Sequence, residues 1–455
     1  DDLERWLRGA PVWAHPHNFL YRARKRLVRR RRWVAAGAAL AGLLAGGWLV
    51  LADRGAAVPG GEWARRHIDR HELSVQRPAP TVEELRAAAA RQRTELADHA
   101  LHRAGRSGAW LSGHMRAGAP FDRADAWSQV QGTACLLAVP EVPAEDLRPL
   151  VAVLHTDLFG PNPFYRPFDP KHGWPHFYDN LPAMEGCGWA LTAIPAALSR
   201  PELVTPAERA LLLQRLDQIQ TVIDQCRLRD PQTGRETGAY KMVAQTIGRP
   251  PSANAYTTLL VYQGLIELSR LGLPWRGDAA RREELFRATH AALLEQFDGK
   301  GWRTTGRSQG DFNDGLTLQL FALLLRAERY GLAELPPAVA DQIPRHLAEC
   351  RTRPFDHPIS LTVFEAEAAG FAGERLVIQR PVRFLWHPWA IECAARWLAR
   401  LQRRGAPNED VVAARRVLGH LVLALGPVAA EELKAGYAFV LLETVYGLSA
   451  AADLP

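Results

Sequence analysis

Apolar positions in this chain recur with a helical period, in two alternating kinds of segment. One kind is amphipathic and rich in charge: TVEELRAAAARQRTELADHALHRAG (81–105), AEDLRPLVAVLHTDL (144–158), TPAERALLLQRLDQIQTVIDQCRL (205–228), DAARREELFRATHAALLEQF (278–297), PPAVADQIPRHLAEC (336–350) and NEDVVAARRVLGHLVLAL (408–425). The other kind carries few charges: AWSQVQGTACLLAV (126–139), EGCGWALTAIPAAL (185–198), ANAYTTLLVYQGLIEL (253–268), NDGLTLQLFALLL (313–325), HPWAIECAARWLARL (387–401) and YAFVLLETVYGLSAA (437–451). Helix starts are written into several of them, as Thr81 with Glu84 and Thr205-Pro206 with Glu208, the spacing of a capping box. Few segments have the period-two, β-branched character of strands.

A helix polar on one face belongs outside, and one apolar nearly all round belongs inside. Taking Trp127, Cys187, Tyr256, Asp314, Trp389 and Ala438 as equivalent marks, the pairs repeat every 60, 69, 58, 75 and 49 residues. Six such pairs predict an all-α (α/α)6 toroid over residues 81–455, with the apolar helices around a central cavity. An open solenoid is the alternative. It needs polar caps at both ends, whereas the last helix here stays apolar.

Two hairpins carry a further pattern. EQFDGKGWRTTGRSQGDFNDGLTLQLFALLL turns through Gly299 and Trp302 and enters an inner helix after Asp311 and Asp314, and HRAGRSGAW…DRADAWSQVQGTACLLA repeats the layout with Gly108, Trp110, Asp125 and Trp127. This resembles the hairpin pattern of the α/α-toroid superfamily, which includes terpenoid cyclases, thioester-containing complement-type domains and, with similar architecture, glycosidases and polysaccharide lyases. The resemblance implies fold rather than activity. The acidic DxDD cluster of the cyclases is absent, since DFNDG offers two carboxylates. GCGWA at 186–190 has Trp-Ala where a thioester loop carries Glu-Gln, and the zinc ligands of prenyltransferases and lanthionine cyclases have no match.

Ahead of the helical pairs, Trp33 to Ala52 is a run of twenty residues without a charge, long enough to cross a hydrocarbon core of about 30 Å. Ten basic residues against three acids precede it, so residues 1–33 hold the whole formal charge of +7 of this 455-residue chain. The expected layout is a basic cytoplasmic tail (1–32), a signal anchor (33–52), a Gly/Pro/Ala linker (53–80) and an extracytoplasmic toroid, placing the protein in an inner membrane with its folded domain in the periplasm. A cleaved signal peptide is the alternative, against which the long basic segment and long apolar run both count. The toroid, left formally neutral, lacks the basic footprint of a nucleic-acid binder.

No Cys or His spacing suggests a metal or cofactor. The five cysteines (135, 187, 226, 350 and 393) form no CxxC and read mostly as buried small hydrophobes, with one or two disulfides open to them outside the cytoplasm.

In a toroid the N-termini of the inner helices share one rim. The acids expected there to carry acid–base chemistry are Glu185, Asp311, Asp314 and Asp179, and the ligand-contacting residues expected are Trp127, Gln129, His176, Tyr178, Asn254, Tyr256, Trp302, Trp386, His387 and Trp389. Indole faces stack on the C–H faces of sugar rings, so an aromatic rim with carboxylates and amides suggests carbohydrate. Each residue has a competing structural role. Asp311 and Asp314 stand where N-caps belong, the Gly-x-Trp tryptophans can wedge hairpins together, and His387 can serve a structural hydrogen bond. Glu185 is the preferred acid, paired with Asp311 or Asp314, because burial against an apolar helix raises a carboxyl pKa. Glu392 and Glu443 are single acids on apolar helices, able to pair with each other or to line the cavity. Tyr240 and Lys241, in the segment before the third inner helix, are candidates for a lid. Three functions follow: a membrane-anchored enzyme that cleaves or modifies polysaccharide, a non-catalytic toroid binding a glycan or partner protein in an export or assembly complex, and a terpenoid-type or lipid-handling enzyme.

Overall fold

The computed structural model describes residues 78–104, 126–156, 168, 170, 174, 184–241, 254–302, 314–350, 356–364, 375–383, 386–435 and 438–455. The predicted anchor (33–52) and linker therefore lie outside the described residues. Among the described residues no helix is long and apolar enough to cross a membrane.

All twelve predicted helical segments form helices. The charged series is α1 (Val82–Ala104), α3 (Ala144–Thr156), α5 (Pro206–Cys226), α7 (Ala279–Glu295), the split pair α9 (Pro337–Ala340) and α10 (Ile343–Glu349), and α12 (Asn408–Gly419). The apolar series is α2 (Ala126–Leu137), α4 (Met184–Leu198), α6 (Ala255–Arg270), α8 (Asp314–Arg329), α11 (His387–Arg403) and α14 (Ala438–Ala452). After α12 the chain continues through a π-helical stretch, His420–Leu425, into α13 (Gly426–Ala435).

Both expected capping boxes are built. Thr81 N–H donates to Glu84 Oε2 (2.7 Å) while Glu84 N–H donates back to Thr81 Oγ1 (3.1 Å), and Thr205 and Glu208 do the same at 2.7 and 3.3 Å. They fill backbone donors that a helix start leaves open. Three inner helices stop in one way: Gly272, Gly331 and Gly405 take positive φ after α6, α8 and α11, and the next residue's N–H returns to a carbonyl five positions back (Leu273 to Leu268, Leu332 to Ala327, Ala406 to Leu401).

The apolar helices pack in the order α2–α4–α6–α8–α11–α14, and α14 packs back onto α2, closing the ring. The charged helices lie outside it, α3 against α2, α5 against α4, α7 against α6, α12 against α11 and α1 against α14. An open solenoid is excluded by the α14–α2 contact. Burial follows the same division: nearly every side chain of α6 and α14 is buried, whereas α7 buries one stripe. Close helix approach relies on glycine. A Cβ on Gly264 would stand 2.2 Å from Leu191 Cβ, and one on Gly447 would stand 2.2 Å from the Pro388 carbonyl oxygen.

Two short hairpins interrupt the helical alternation. β1 (Arg227–Arg229) and β2 (Glu236–Tyr240) form an antiparallel hairpin between α5 and α6, and β3 (Asp356–Phe364) pairs with β4 (Arg375–Arg383) over nine residue pairs. The first hairpin corrects the lid reading of Tyr240 and Lys241. Tyr240 ends β2 with its side chain fully buried, its carbonyl accepts from Asn254 N–H (3.0 Å), and Lys241 N–H is tied to the Cys226 carbonyl (2.9 Å). All five cysteines are free thiols and buried, as small hydrophobes would be. Burial pushes the Cys187 and Cys226 thiols up to about 12.

Candidate active site at the helix N-termini

Because each inner helix is returned by an outer one, the six run in parallel and their first turns meet at one end of the ring. Six side chains from the first two turns converge there: Gln131 of α2, Glu185 and Trp189 of α4, Tyr256 of α6, Trp389 of α11 and Glu443 of α14.

Glu443 is the centre of this buried cluster. It is buried on an otherwise apolar helix, and its Oε1 accepts from Gln131 Nε2 at 2.6 Å. Burial pushes its carboxyl up to about 8, although the Trp389 and Gln131 side chains, both hydrogen-bonded to it, favour the charged form. At neutral pH the group is therefore mostly the neutral acid, with a proton to give. Trp389 belongs to a packed aromatic group: the Trp189 ring is 6.4 Å from Trp389 and 6.3 Å from Tyr446 in an edge-on arrangement, and Trp389 is 6.4 Å from Tyr446. Tyr256 stands beside Glu443 and Glu185. Burial first, and then those two carboxylates, push its hydroxyl far above the ordinary tyrosine value, so it remains a neutral donor.

Glu392 has a different fate. It does not pair with Glu443 but accepts from Arg326 Nη2 (2.5 Å) and Arg396 Nε (2.7 Å), and these cations hold its carboxyl low against the opposing effect of burial. Arg326 also reaches Glu267 at 3.2 Å. This buried network ties α6, α8 and α11 together, which makes Glu392 a structural acid.

The remaining expected residues divide sharply. Glu185, Tyr256 and Trp389 reach the cluster. Gln129 is fully buried one turn into α2, and its carbonyl accepts from Thr133 Oγ1 at 2.9 Å. Asn254 caps α6, its Oδ1 accepting from Thr257 N–H at 2.9 Å, so its side chain is spent on the helix rather than on a ligand. Trp302 is fully buried, donates its indole N–H to the Leu293 carbonyl at 2.7 Å and packs on Phe297 and Phe321, a wedge between α7 and α8 with no face left for a sugar. His387 is buried with Nε2 at 3.1 Å from the Leu421 carbonyl of the π-helical stretch, and Trp386 packs edge-on against it. Asp179, Asp311, His176 and Tyr178, and the side chains of Asp314 and Trp127, lie outside the described residues.

Glu443 and Gln131 were the pieces that sequence reasoning placed least well. A lone acid on an apolar helix was the available signal for the first. Gln131 is one of several polar residues expected at the rim of the inner-helix N-termini, but its pairing with Glu443 depends on ring closure. Among the described residues no three His, Cys, Asp or Glu side chains are grouped so as to hold a metal ion.

No family model matches the chain, and no curated protein matches it in sequence. Similar solved structures include a glycosidase variant in complex with glucose (TM-score 0.45, 13% identity, 82% of this chain and 99% of that one). A variant of a reducing-end-xylose releasing exo-oligoxylanase also aligns (TM-score 0.41, 11% identity, 73% and 83%). A third is a family 105 glycoside hydrolase of C. acetobutylicum ATCC 824 (TM-score 0.34, 10% identity, 71% and 98%).

Proposed function

We propose that the ring is a carbohydrate-processing enzyme of the glycoside-hydrolase type, with Glu443 as the proton donor. The observation that carries this reading is a buried carboxyl, neutral near pH 7, hydrogen-bonded by the Gln131 amide and the Trp389 side chain. A neutral carboxyl can protonate the oxygen that leaves when a glycosidic bond breaks, a contribution of about 10²–10⁴-fold. The buried indoles of Trp189 and Trp389 keep the acid away from water, and Tyr256 supplies a hydroxyl donor nearby. Hydrolysis also needs a second carboxylate, acting as nucleophile or as base toward water. Glu185 fills that role in this reading, since it and Glu443 both act on the Tyr256 hydroxyl. A carboxyl separation of about 5–5.5 Å gives retention and one of about 6.5–9.5 Å gives inversion. In the same reading residues 33–52 anchor the ring to the outer face of an inner membrane, within reach of envelope polysaccharide and of assembly partners there.

The test is release of reducing ends from a panel of polysaccharides by the wild-type protein and by Glu443→Gln. Loss of release with an unchanged circular dichroism spectrum is expected. A Glu443→Gln protein that still cleaves at the wild-type rate overturns the assignment and favours the non-catalytic binding module. A reporter fused after Pro455 tests the placement, and activity of that reporter in the cytoplasm refutes it.

A further inference from the structure

The inner helices end on the face opposite Glu443, and a cavity of about 300 Å³ opens there, at the lower end of the range of small-molecule sites. Its wall draws on the last turns of α2, α4, α6, α8 and α14, with Arg396 from α11, so it lies on the axis of the ring rather than between two neighbours. Tyr446 links this cavity to the buried cluster around Glu443. Its ring meets Trp189 and Trp389 on one side, and the Arg326 guanidinium lies 5.3 Å from its centre on the other.

Four arginines line this cavity, Arg270, Arg326, Arg329 and Arg396, against two carboxylates, Glu267 and Asp453. The acids are already engaged. Glu267 accepts from Arg270 Nε at 2.9 Å and from Arg326 Nη1 at 3.2 Å, and Asp453 lies 3.8 Å from Arg93, which is outside the lining. Behind the wall, Glu392 is held between Arg326 and Arg396. Cation capacity is left over: Arg329 forms no ion pair among the described residues, and the Nε of fully buried Arg326 has no hydrogen-bond partner. The neighbouring Arg403 feels the surplus. Its guanidinium is held below the ordinary arginine value by burial first and then by the charges of Arg329, Arg400 and Arg396, with Glu328 opposing.

Arginines in the last turns of helices are favoured by the negative C-terminal ends of the helix dipoles. That accounts for single exposed arginines at each stop. It does not account for Arg326 and Arg396, which stand within the ring wall and bond to side-chain carboxylates. The geometry points to a second ligand site at this C-terminal mouth, for a small oxyanion carrying more than one negative charge, a phosphate monoester or a dicarboxylate. Guanidinium forks match both groups through paired N–H donors. The site is separate from the acid cluster and does not depend on the function proposed for it.

Isothermal titration of the full chain with inorganic phosphate and, separately, with malonate tests this. One saturable site per chain is expected for at least one of the two anions, weakened about tenfold by Arg329→Ala and unaffected by Arg287→Ala on the outer helix α7. Arg329 is exposed, so its loss leaves the fold intact. Binding of phosphate alone supports the site and assigns a phosphoryl ligand, and binding of malonate alone supports it and assigns a carboxylate one. The inference is overturned if neither anion binds at millimolar concentration, or if Arg329→Ala binds as tightly as the wild type.

Discussion

Gln131 and Glu443 meet across 2.6 Å although 312 residues separate them in the chain. The amide donor favours the charged carboxylate, so removing it makes Glu443 a weaker acid. Gln131→Met is expected to move the alkaline limb of the pH–rate profile upward by about one pH unit. The check is kcat/KM against pH for both proteins. An unmoved or lowered limb would separate Glu443 from the rate-limiting protonation.

The same carboxyl couples folding to pH. Its folded value of about 8 lies above the ordinary glutamate value of 4.5, so the folded state binds the proton more tightly than the unfolded state. Its stabilising contribution is complete below about pH 4.5 and is lost as pH rises through 8. Glu443→Gln removes this loss and is expected to be a few kcal/mol more stable than wild type at pH 9, with a much smaller difference at pH 5. Urea unfolding at the two pH values measures it. Such a variant, more stable and yet inactive, is what a group retained for chemistry predicts.

Arg326 sits between Glu267 and Glu392, and replacing it by methionine strands buried negative charge. Arg326→Met is expected to cost about 3–5 kcal/mol. The shift in urea midpoint reports the cost. Because the cations hold Glu392 low, its contribution is present above the ordinary glutamate value and is lost as pH falls, so the wild-type advantage over Arg326→Met shrinks in acid.

Gly447 allows α14 to lie against α11. A methyl there meets the Pro388 carbonyl oxygen at 2.2 Å, a backbone atom that cannot rotate away. Gly447→Ala is expected to destabilise the ring by about 1–3 kcal/mol despite alanine's better helix propensity. Thermal unfolding checks it, with Gly272→Ala as a contrasting case in which the methyl meets open space and only the positive φ is strained.

The helices were legible because each hairpin alternates a charged partner with an apolar one, and the burial of α7 against α6 follows that contrast directly. The hairpins were less so. The segment Arg227–Tyr240 carries the turn DPQTG, and Asp356–Phe364 has the alternation Ile359, Leu361, Val363, but both are short beside the helical repeat. For the site, the location at the inner-helix N-termini could be deduced from topology, and Glu185, Tyr256 and Trp389 followed. Asn254 and Trp302 did not, because a cap and a wedge carry the same residue types as a ligand contact. The choice between Glu392 and Glu443 rested on the arginines of α8 and α11, whose reach depends on helix order around the ring.

Closure of the ring by α14 against α2 has a consequence for timing. Glu443 comes from the last of the six inner helices and its amide partner from the first, so a ribosome must pass α14 before the two can meet. Chains cut before α14 lose both the Glu443 carboxyl and the seal between α14 and α2, so the ring closes late in synthesis.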